Sequence, residues 1–428
     1  MIPEEKVSEI RDRTDIVALV SEHVELKRSG TSLKGLCPFH GEKTPSFYVH
    51  PDRGFFHCFG CQLSGDAISF LMRIDGLAFP EALRVLAERA GVEITALDSE
   101  DASAARQARA RKERLLSVLE TAAGFFAKML DAHRFGPMAW AELSRRGIDR
   151  PMVERYRLGY APHGWDELAN DLAQRGVSPR DAEQVGLIVP RKTGQGHYDR
   201  FRHRLMFPIA DTHGKIVAFS GRALEPVEGD ERARQEPPAK YVNSPETALY
   251  RKGDILFGLH EARVELRRQG IALVCEGNFD VVGLAQHGFH NVVAPLGTAF
   301  TPAQAKLLRR FASTAVLLFD ADSAGRKAVR AAQPLLAKAG ISGKVVTLPT
   351  GMDPDSFLRD RGAEALGKLI NQAPPVVDWL IEGAAHDAGL DPRARADAIE
   401  ALGPVIGSID SPVERGLYEE RVAQGFEI

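Results

Sequence analysis

The spacing of hydrophobic and polar positions divides the chain into stretches with different periods. Near the amino terminus, EEKVSEIRDRTDIVALVSEHVEL carries apolar residues at helical intervals, and GDAISFLMRIDGLAFPEALRVLAERAG predicts two amphipathic helices that end at Gly91. From Ile271 onward, short apolar runs alternate regularly with helical segments. Strands that alternate with helices predict a parallel sheet, with ligands at the carboxyl ends of its strands.

The alternating region predicts four strands and three helices. The strands are IALVCE, NVVAPL, AVLLFD and GKVVTLP, and the helices are NFDVVGLAQHG, TPAQAKLLRRF and AGRKAVRAAQPLLAKAG. The second helix carries a capping box, with Thr301 as N-cap, Pro302 at the first helical position and Gln304 three residues after the cap. Upstream, DRFRHRLMFPIADTHGKIVAFSGRAL predicts two strands joined at the polar turn DTHG, and residues after about 362 are predicted to be helical.

Composition narrows the class of protein. A chain of 428 residues is long for one core, so two or three domains are expected. A hydrophobic fraction of 44% and a charged fraction of 26% are typical of a globular protein. The chain contains no apolar run long enough to span a membrane, and MIPEEKVSEI lacks the features of a signal peptide, so we expect a cytoplasmic protein. The net charge of -3 does not decide for or against nucleic acid, because binding depends on where positive charge is gathered.

Three of the four cysteines lie within residues 37–61. Cys37 and His40 form one short-spaced pair, and Cys58 and Cys61 form a second. Two such pairs predict a tetrahedral zinc site, whereas the alternative is a chance cluster of buried cysteines. Four protein ligands leave no open coordination position, so we expect one structural zinc ion per chain. Cys275 lies in an apolar strand and is interpreted as a core thiol.

Aromatic and basic residues surround the predicted zinc site. They are Phe39, Phe47, Tyr48, Phe55, Phe56, Phe59, Lys34, Lys43 and Arg53. A small zinc domain needs aromatic residues for its core. Aromatic residues interleaved with Lys and Arg can also stack on single-stranded bases, so we expect both uses.

Carboxylates follow three of the predicted strands. Glu276 comes directly after IALVC, Asp320 and Asp322 follow AVLLF, and Asp353 and Asp355 follow GKVVTLP. Because the carboxyl ends of parallel strands share one sheet edge, these acids are expected to converge. Such an oxygen-rich cluster suits Mg²⁺ or Mn²⁺ in phosphoryl transfer, and the alternative is a set of ordinary loop acids.

Basic residues cluster in the middle of the chain. They are Arg200, Arg202, Arg204, Arg222, Lys240 and Lys252. A period of two would place the first three on one face of a strand, where they could neutralise phosphates. A solvated charged strand face is the alternative. In KYVNSPET, Tyr241 and Asn243 are candidates to contact a nucleotide or a template.

These residues together resemble the bacterial DnaG-type DNA primase family over nearly the whole chain. CPFHGEKTPSFYV and FHCFGC are similar to its CHC2 zinc-binding domain, and RFRHRLMFPI, FSGR and KYVNSPET are similar to the basic segments of its RNA-polymerase domain. EGNFD, FDADSAGR and DPDSF are similar to its TOPRIM motifs. The chain has EGNFD where the family usually has EGYMD, and DAD where it usually has DGD.

The resemblance implies an α/β multidomain protein in five parts. These are a zinc-ribbon CHC2 domain at 1–95, a linker at 96–113, a basic α+β part of the RNA-polymerase domain at 114–262, a TOPRIM subdomain with a Rossmann-like parallel sheet at 263–362, and a C-terminal helical subdomain at 363–428. The family carries a further helicase-binding domain. Because the chain stops at AQGFEI, we expect that domain to be absent.

The resemblance also implies function. The chain would be a DNA primase, a nucleotidyltransferase of the primosome that makes short RNA primers on single-stranded DNA for chromosomal replication. Glu276, Asp320 and Asp322 would be catalytic and hold Mg²⁺ or Mn²⁺, with Asp353 and Asp355 assisting. The nucleic-acid and nucleotide path would be lined by Arg146, Arg222, Lys240, Tyr241 and Asn243, with Lys252 reaching the incoming triphosphate. The zinc domain would help to choose the start site.

The expected partners are a single-stranded DNA template, ribonucleoside triphosphates, the RNA primer and, through the absent domain, the replicative helicase. We expect a monomer that does not bind membranes. Two other classes share some of these features. A TOPRIM nuclease would use the same acids to cut, and a non-catalytic replisome protein that binds single-stranded DNA would not need them. The substitution Asp320→Ala separates this last class from the enzymes, because a non-catalytic protein should still bind and work without this carboxylate.

Overall fold

A computed structural model gives the fold, and two compact units divide it. The residues that the structure describes are 4–92, 100–191, 194–229, 235, 237–297, 299–319, 323–349, 351–409 and 411–428, with the side chains of 100–105, 323 and 324 not included. The units are Met1–Ala110 and Arg111–Ile428. Of the predicted linker, residues 96–99 lie outside this description, and 100–113 belong to a long helix within which the division falls.

Up to residue 92, the described residues of the first unit form an antiparallel sheet with four α-helices. Its strands are β1 (Lys27–Ser29), β2 (Ser32–Gly35), β3 (Phe47–His50), β4 (Phe55–Cys58) and β5 (Ser64–Asp66), and its helices are α1 (Glu4–Arg13), α2 (Ile16–Ser21), α3 (Ala67–Ile74) and α4 (Phe79–Ala90). The strands are ordered β1-β2-β3-β4-β5. The first predicted helical stretch is divided into α1 and α2, because the Asp15 side chain caps the amino end of α2. Gly91 ends α4 in a left-handed conformation, as predicted.

The core of the first unit follows the period of two along β3 and β4. Phe47 and Val49 on β3 are fully buried, as are Phe56 and Cys58 on β4. The rings of Phe47 and Phe56 stack with their centroids 5.1 Å apart. The intervening residues of both strands therefore face away from this core.

The second unit begins with helices and an antiparallel sheet. Its first helices are α5 (Glu100–Ala132), α6 (Gly136–Arg145), α7 (Arg150–Arg155), α8 (Glu167–Gln174) and α9 (Pro179–Gln184), and its first strands are β6 (Gly159–Ala161), β7 (Ile188–Pro190), β8 (His197–Asp199), β9 (Arg204–Ala210), β10 (Ile216–Ala223) and β11 (Tyr241–Asn243). One sheet has the order β11-β10-β9-β6, and β7 pairs with β8. β9 and β10 flank DTHG, which confirms the predicted strand pair.

The strand that carries the predicted basic face begins later than expected. Arg204 is the first residue of β9, so Arg200 and Arg202 lie before it. His203 has a φ of 48°, and this left-handed conformation interrupts an extended chain. The prediction that a period of two places all three arginines on one strand face was therefore wrong.

The alternating region forms the predicted parallel sheet. Its strands are β12 (Ile271–Cys275), β13 (Val292–Val293), β14 (Thr314–Leu318) and β15 (Ser342–Val345), and its helices are α10 (Leu259–Gln269), α11 (Asn278–Gln286), α12 (Pro302–Arg309) and α13 (Ser323–Lys338). The order is β13-β12-β14-β15, and each neighbouring pair is parallel. The capping box is confirmed, because Thr301 Oγ1 accepts from the backbone N–H of Gln304 at 3.1 Å.

After residue 353, the described residues of the second unit form four further α-helices. They are α14 (Pro354–Gln372), α15 (Val376–Ala388), α16 (Pro392–Gly407) and α17 (Pro412–Gly425). Alternate residues of the parallel strands enter two separate cores, with Leu273 and Val316 in one and Val274 and Leu317 in the other. Since both faces of the sheet are covered, its strands are apolar along their length. Polar groups are consequently gathered at the strand ends, where α11 and α14 begin.

Candidate zinc centre and catalytic site

The four predicted zinc ligands lie together in the first unit. One ligand atom from each of Cys37, His40, Cys58 and Cys61 lies within 4.8 Å of the others. The Sγ atoms of Cys37 and Cys61 are 3.9 Å apart, and Cys58 Sγ is 3.8 Å from His40 Nδ1. Tetrahedral zinc with bonds of about 2.3 Å to sulfur separates two sulfur ligands by about 3.8 Å. The donor set therefore fits a zinc ion with four protein ligands.

Glu42 connects this ligand set to its surroundings. Its Oε2 atom lies 3.3 Å from His40 Nε2, whereas Nδ1 is the ring nitrogen 3.8 Å from Cys58 Sγ. Its Oε1 atom accepts from the backbone N–H of Cys37 at 2.7 Å and of Ser46 at 3.1 Å. The Ser46 hydroxyl also contacts the Glu42 carboxylate and lies 3.2 Å from Cys58 Sγ. A carboxylate at the second ring nitrogen fixes the orientation of a metal-binding histidine.

Sequence reasoning missed Glu42, although the residue lies within the same motif, CPFHGEKTPSF. Gly60 also limits the space around the His40 imidazole, because an added Cβ at Gly60 would lie 2.5 Å from His40 Nε2. A side chain at residue 60 would thus displace the imidazole that Glu42 contacts.

The aromatic residues of this unit divide between core and surface. Those in or against the core are Phe39, Phe47 and Phe56. Phe59 is 61% exposed, and the rings of Tyr48 and His57 pack edge-on against it at 5.4 and 4.5 Å. Lys34, Tyr48 and His57 are paired across β2, β3 and β4, so they share the face opposite the core. This face combines the exposed Phe59 ring with two half-buried rings and a lysine.

The acidic residues occupy different environments at the edge of the parallel sheet. Glu276 follows β12 and is exposed, whereas Asp320 and Asp322 lie outside the described residues. Asp353 caps α14, and its Oδ1 atom accepts from the backbone N–H of Ser356 at 2.7 Å. Burial opposes ionisation of Asp353, but these hydrogen bonds and nearby arginines lower its pKa below the ordinary value. Asp353 is therefore ionised at neutral pH.

Asp355 is buried and contacts basic residues. Its Oδ2 atom lies 3.4 Å from Arg146 Nη1 and 3.2 Å from Arg359 Nη2. Burial raises the pKa of Asp355, although both arginines oppose that change. The structure thus places Asp355 against two guanidinium groups.

Arg146 and Arg222 meet over one aromatic ring, and Tyr241 contacts Arg222. The guanidinium carbons of Arg146 and Arg222 lie 4.1 and 5.2 Å from the centroid of Phe279, on α11. Arg222 on β10 is paired with Tyr241 on β11, and its Nη1 donates to the Tyr241 hydroxyl at 3.2 Å. These three predicted residues therefore form one cluster beside Asp355.

Asn243, at the end of β11, and Lys252 both contact the loop that follows β13. Asn243 Nδ2 donates to the Leu296 carbonyl at 3.2 Å, while among the described residues its buried Oδ1 has no hydrogen-bond partner. Lys252 Nζ donates to the Gly297 carbonyl at 3.3 Å. Lys240 is exposed and directly precedes β11. Asn243 and Lys252 thus contact consecutive residues of the loop that follows β13.

The other three predicted arginines have partners within the protein. Arg204 is 6% exposed, and its Nη1 donates to the carbonyls of Gly221 and Ala239 at 3.0 and 2.9 Å. Burial lowers the pKa of Arg204 to about 10. Arg200 Nε donates to the Gly186 carbonyl. Arg202 donates to the Asp199 carbonyl and stacks on a neighbouring indole ring. The three side chains therefore do not form a shared basic face.

Sequence reasoning also missed Glu142, on α6. Its carboxylate contacts Arg146, four residues later, and Arg222, which is distant in sequence. The spacing to Arg146 is a helical ion-pair signal, but the contact with Arg222 depends on the tertiary fold. In the part of the chain that the structure describes, no helix is long and apolar enough to cross a membrane.

Family models match four consecutive parts of the chain. The CHC2 zinc finger matches residues 2–102, the N-terminal domain of the DNA primase catalytic core matches 125–263, and a Toprim-like domain matches 273–358. The DnaB-helicase binding domain of primase matches 377–428. This last match contradicts the expectation that the chain lacks a helicase-binding domain.

Individual proteins match over most of the chain. The DNA primase of Halalkalibacterium halodurans is 38% identical over 429 aligned positions, which cover all of this chain and 69% of the relative. The DNA primase of Neisseria meningitidis is also 38% identical, and the alignment covers 99% of this chain and 70% of that relative. The zinc-binding and RNA-polymerase domains of Aquifex aeolicus primase match in structure with a TM-score of 0.64 and 32% identity, over 99% of this chain and 97% of that one. A DNA primase domain from Pseudomonas aeruginosa matches in structure with a TM-score of 0.65 and 33% identity, over 73% of this chain and 96% of that one.

A CHC2 zinc finger, followed by the N-terminal domain of a primase catalytic core and a Toprim-like domain, defines a class of nucleic-acid-polymerising enzymes. The chain belongs to the DnaG-type DNA primase family, and it is a DNA primase that synthesises RNA primers. The CHC2 match and the ligand distances together support a structural zinc ion.

Proposed function

We propose that catalysis takes place at the carboxyl edge of the parallel sheet, where Glu276, Asp320 and Asp322 hold Mg²⁺ or Mn²⁺. The observation that carries this proposal is the parallel order of β12, β14 and β15, which ends three acid-bearing segments at one edge. When bound, such a metal lowers the pKa of the primer 3'-hydroxyl and neutralises charge on the triphosphate. Asp353, ionised and fixed as a helix cap, assists at the same edge.

We propose a different role for the Asp355 side chain, which is to position an arginine. Its Oδ2 atom is already within 3.4 Å of two arginines, and its burial does not favour an open coordination position. An added Cβ on Gly283 would lie 3.1 Å from Asp355 Oδ1, so α11 packs closely against this carboxylate. Asp355 therefore positions Arg146 beside the acidic edge instead of binding the metal.

The basic cluster is proposed to receive phosphate groups of the template and the nucleotide. Arg146, Arg222 and Tyr241 lie together, and Lys240 is exposed beside them in sequence. Asn243 and Lys252 adjoin the loop after β13, where Asn243 retains an acceptor for a donor from a ligand. Arg200, Arg202 and Arg204 are assigned to support this region, because each contacts backbone carbonyls.

Single-stranded DNA is the proposed template. A solved DnaG primase catalytic domain bound to single-stranded DNA is 31% identical to this chain, with a TM-score of 0.63. In the first unit, the face formed by Lys34, Tyr48, His57 and Phe59 offers rings on which bases can stack. We propose that this face takes part in choosing the start site.

The division of the chain and its helicase contact are also proposals. The family matches and the division at residue 110 support a zinc domain at 1–95, a linker at 96–113, and catalytic parts at 114–262 and 263–362. The helical part at 363–428 includes the match to a helicase-binding domain, so we propose the replicative helicase as its partner.

A primer-synthesis assay with Asp320→Ala tests this function. The zinc-loaded chain is incubated with single-stranded DNA, labelled ribonucleotides and Mg²⁺, and the products are separated on a gel. We expect short RNA from the wild type and from Asp360→Ala, an exposed acid on α14, but not from Asp320→Ala. Full synthesis by Asp320→Ala would refute the metal assignment. Degradation of the template without RNA would indicate a TOPRIM nuclease, and template binding alone would indicate a non-catalytic replisome protein.

A further inference from the structure

One carboxylate contacts both arginines of the basic cluster. Glu142 Oε1 lies 3.1 Å from Arg146 Nε and 3.1 Å from Arg222 Nε, and Glu142 Oε2 lies 2.6 Å from Arg145 Nη2. The side chains of Glu142, Arg146 and Arg222 are 14%, 15% and 13% exposed. This contact therefore joins the end of α6 to β10 in a partly dehydrated environment, where ion pairs are less screened than at the surface.

The remaining donors of the two arginines show how the pair is held. Arg146 uses Nε for Glu142 and Nη1 for Asp355, and Arg222 uses Nε for Glu142 and Nη1 for Tyr241. Among the described residues, neither Nη2 group has a hydrogen-bond partner. A guanidinium group presents five N–H donors in a fixed plane, so fixing two of its nitrogens also fixes the direction of the third.

We propose that Glu142 is a positioning residue that holds Arg146 and Arg222 as a pair, so that their Nη2 groups can donate hydrogen bonds to a phosphate oxygen of the template or the nucleotide. This inference rests on the proposed phosphate-binding function of the two arginines. Long side chains that are already ordered lose less conformational entropy when a ligand binds. Glu142 thus favours phosphate binding even though its own charge is negative.

The negative charge of Glu142 suggests an alternative role, in which the carboxylate only neutralises the two arginines, and experiment can distinguish this role from positioning. A carboxylate that only neutralised the arginines would weaken the attraction for phosphate. Burial alone would raise the pKa of Glu142, but hydrogen bonds from Arg145 and Arg146 and the charge of Arg222 lower it, so the carboxylate is ionised at neutral pH. Removing that charge should therefore change phosphate affinity in opposite directions under the two accounts.

Glu142→Gln is the main variant, because it keeps the shape of the side chain and removes its charge. We expect about a tenfold loss of affinity for a single-stranded oligonucleotide, for a ribonucleoside triphosphate, or for both, and the two probes show which phosphate is bound. For the oligonucleotide, the slope of log affinity against log salt should become shallower by about 0.7 for each phosphate that the variant no longer neutralises. Glu265→Gln changes a half-buried glutamate that pairs with the exposed Arg268 on α10, so it is the matched control and should leave both quantities unchanged.

Arg222→Lys is the second variant, because it keeps the charge but lacks the nitrogen that contacts Glu142. The positioning account predicts that Arg222→Lys binds the affected probe as weakly as Arg222→Ala does. It also predicts that Glu142→Gln has no further effect when Arg146 and Arg222 are both alanine. Thermal unfolding of each variant shows that the loss is not due to failure to fold.

Two results would overturn the inference. Tighter binding and a steeper salt slope in Glu142→Gln would show that the carboxylate only neutralises the arginines. Unchanged affinity for both probes, with a lower melting temperature, would assign Glu142 a structural role alone. If the double variant Arg146→Ala and Arg222→Ala bound both probes normally, the proposed function of the arginines would itself be wrong. That outcome is distinct from a failure confined to Glu142.

Discussion

Neighbouring carboxylates in this protein have different chemistry because their surroundings differ. Asp353 accepts hydrogen bonds at the start of α14, and its pKa is lowered, whereas burial raises the pKa of Asp355 two residues later. The sequence predicted both residues as metal ligands, since both follow a strand. The contact of Asp355 with Arg359, four residues later on α14, is a local helical signal, whereas its contact with Arg146 depends on how the end of α6 packs against α14, which local sequence patterns do not show.

Glu42 offers a test of the zinc centre at a single residue. Glu42→Gln weakens the contact with His40 Nε2, so we expect zinc affinity to fall by about 10- to 100-fold. Competition with a chromophoric chelator measures this directly, without reference to enzyme activity. Glu25→Gln, an exposed glutamate in the same unit, is the control. Equal zinc affinity in the two variants would show that Glu42 does not support the ligand set.

Asp199 predicts a pH dependence of stability in the second unit. It is buried, accepts from the backbone N–H groups of Leu168 and Ala169, and burial raises its pKa to about 6. Because the folded state then binds the proton more tightly than the unfolded state, this group reduces stability as pH rises from about 4 to 6. The reduction amounts to at most about 3 kcal/mol, since each tenfold difference in proton affinity corresponds to about 1.4 kcal/mol.

Asp199→Asn should therefore flatten the fall in unfolding free energy over that pH range. Urea unfolding followed by tryptophan fluorescence reports on this unit, because all three tryptophans lie beyond residue 111. Asp171→Asn removes the partner of the exposed Arg175 side chain and serves as the control. A pH dependence that is the same in Asp199→Asn and the wild type would contradict the assignment.

At the scale of elements, local signals determined which predictions succeeded. The parallel strands and α12 follow from apolar runs and a capping box, both of which are contained in a few residues. The start of β9 was predicted wrongly, because it depends on the left-handed conformation of His203 and on the contact of Arg204 with the distant Ala239 carbonyl. The zinc ligands were found from spacing, whereas Glu142 was missed because Arg222 lies on another element.

The capping box provides a prediction for one helix. Thr301→Ala removes the acceptor for the Gln304 N–H at the start of α12, so we expect a loss of about 1 kcal/mol in unfolding free energy. Urea unfolding measures the change. Thr121→Ala is the control, since that hydroxyl bonds to the Ser117 carbonyl within α5 and caps nothing. An equal effect of the two substitutions would mean that the cap contributes no stability.

At the scale of the whole molecule, the parallel sheet determines where chemistry can take place. Two apolar cores cover its faces, so polar side chains from different segments can meet only at its edges. The acids and the Arg146–Arg222 pair are associated with α11 and α14, which start at the carboxyl edge. The match to a helicase-binding domain at 377–428 shows that the absence of this domain was wrongly expected from the end of the chain.

Mn²⁺ binding, measured by electron paramagnetic resonance on the zinc-loaded chain, tests most directly whether the acidic edge holds the catalytic metal. We expect Glu276→Gln to reduce the amount of bound Mn²⁺ strongly, because Glu276 is an exposed carboxylate at that edge. Asp355→Asn should bind Mn²⁺ nearly as the wild type does, since Asp355 contacts arginines. Unchanged Mn²⁺ binding in Glu276→Gln, or an equal loss in both variants, would contradict this account of the site.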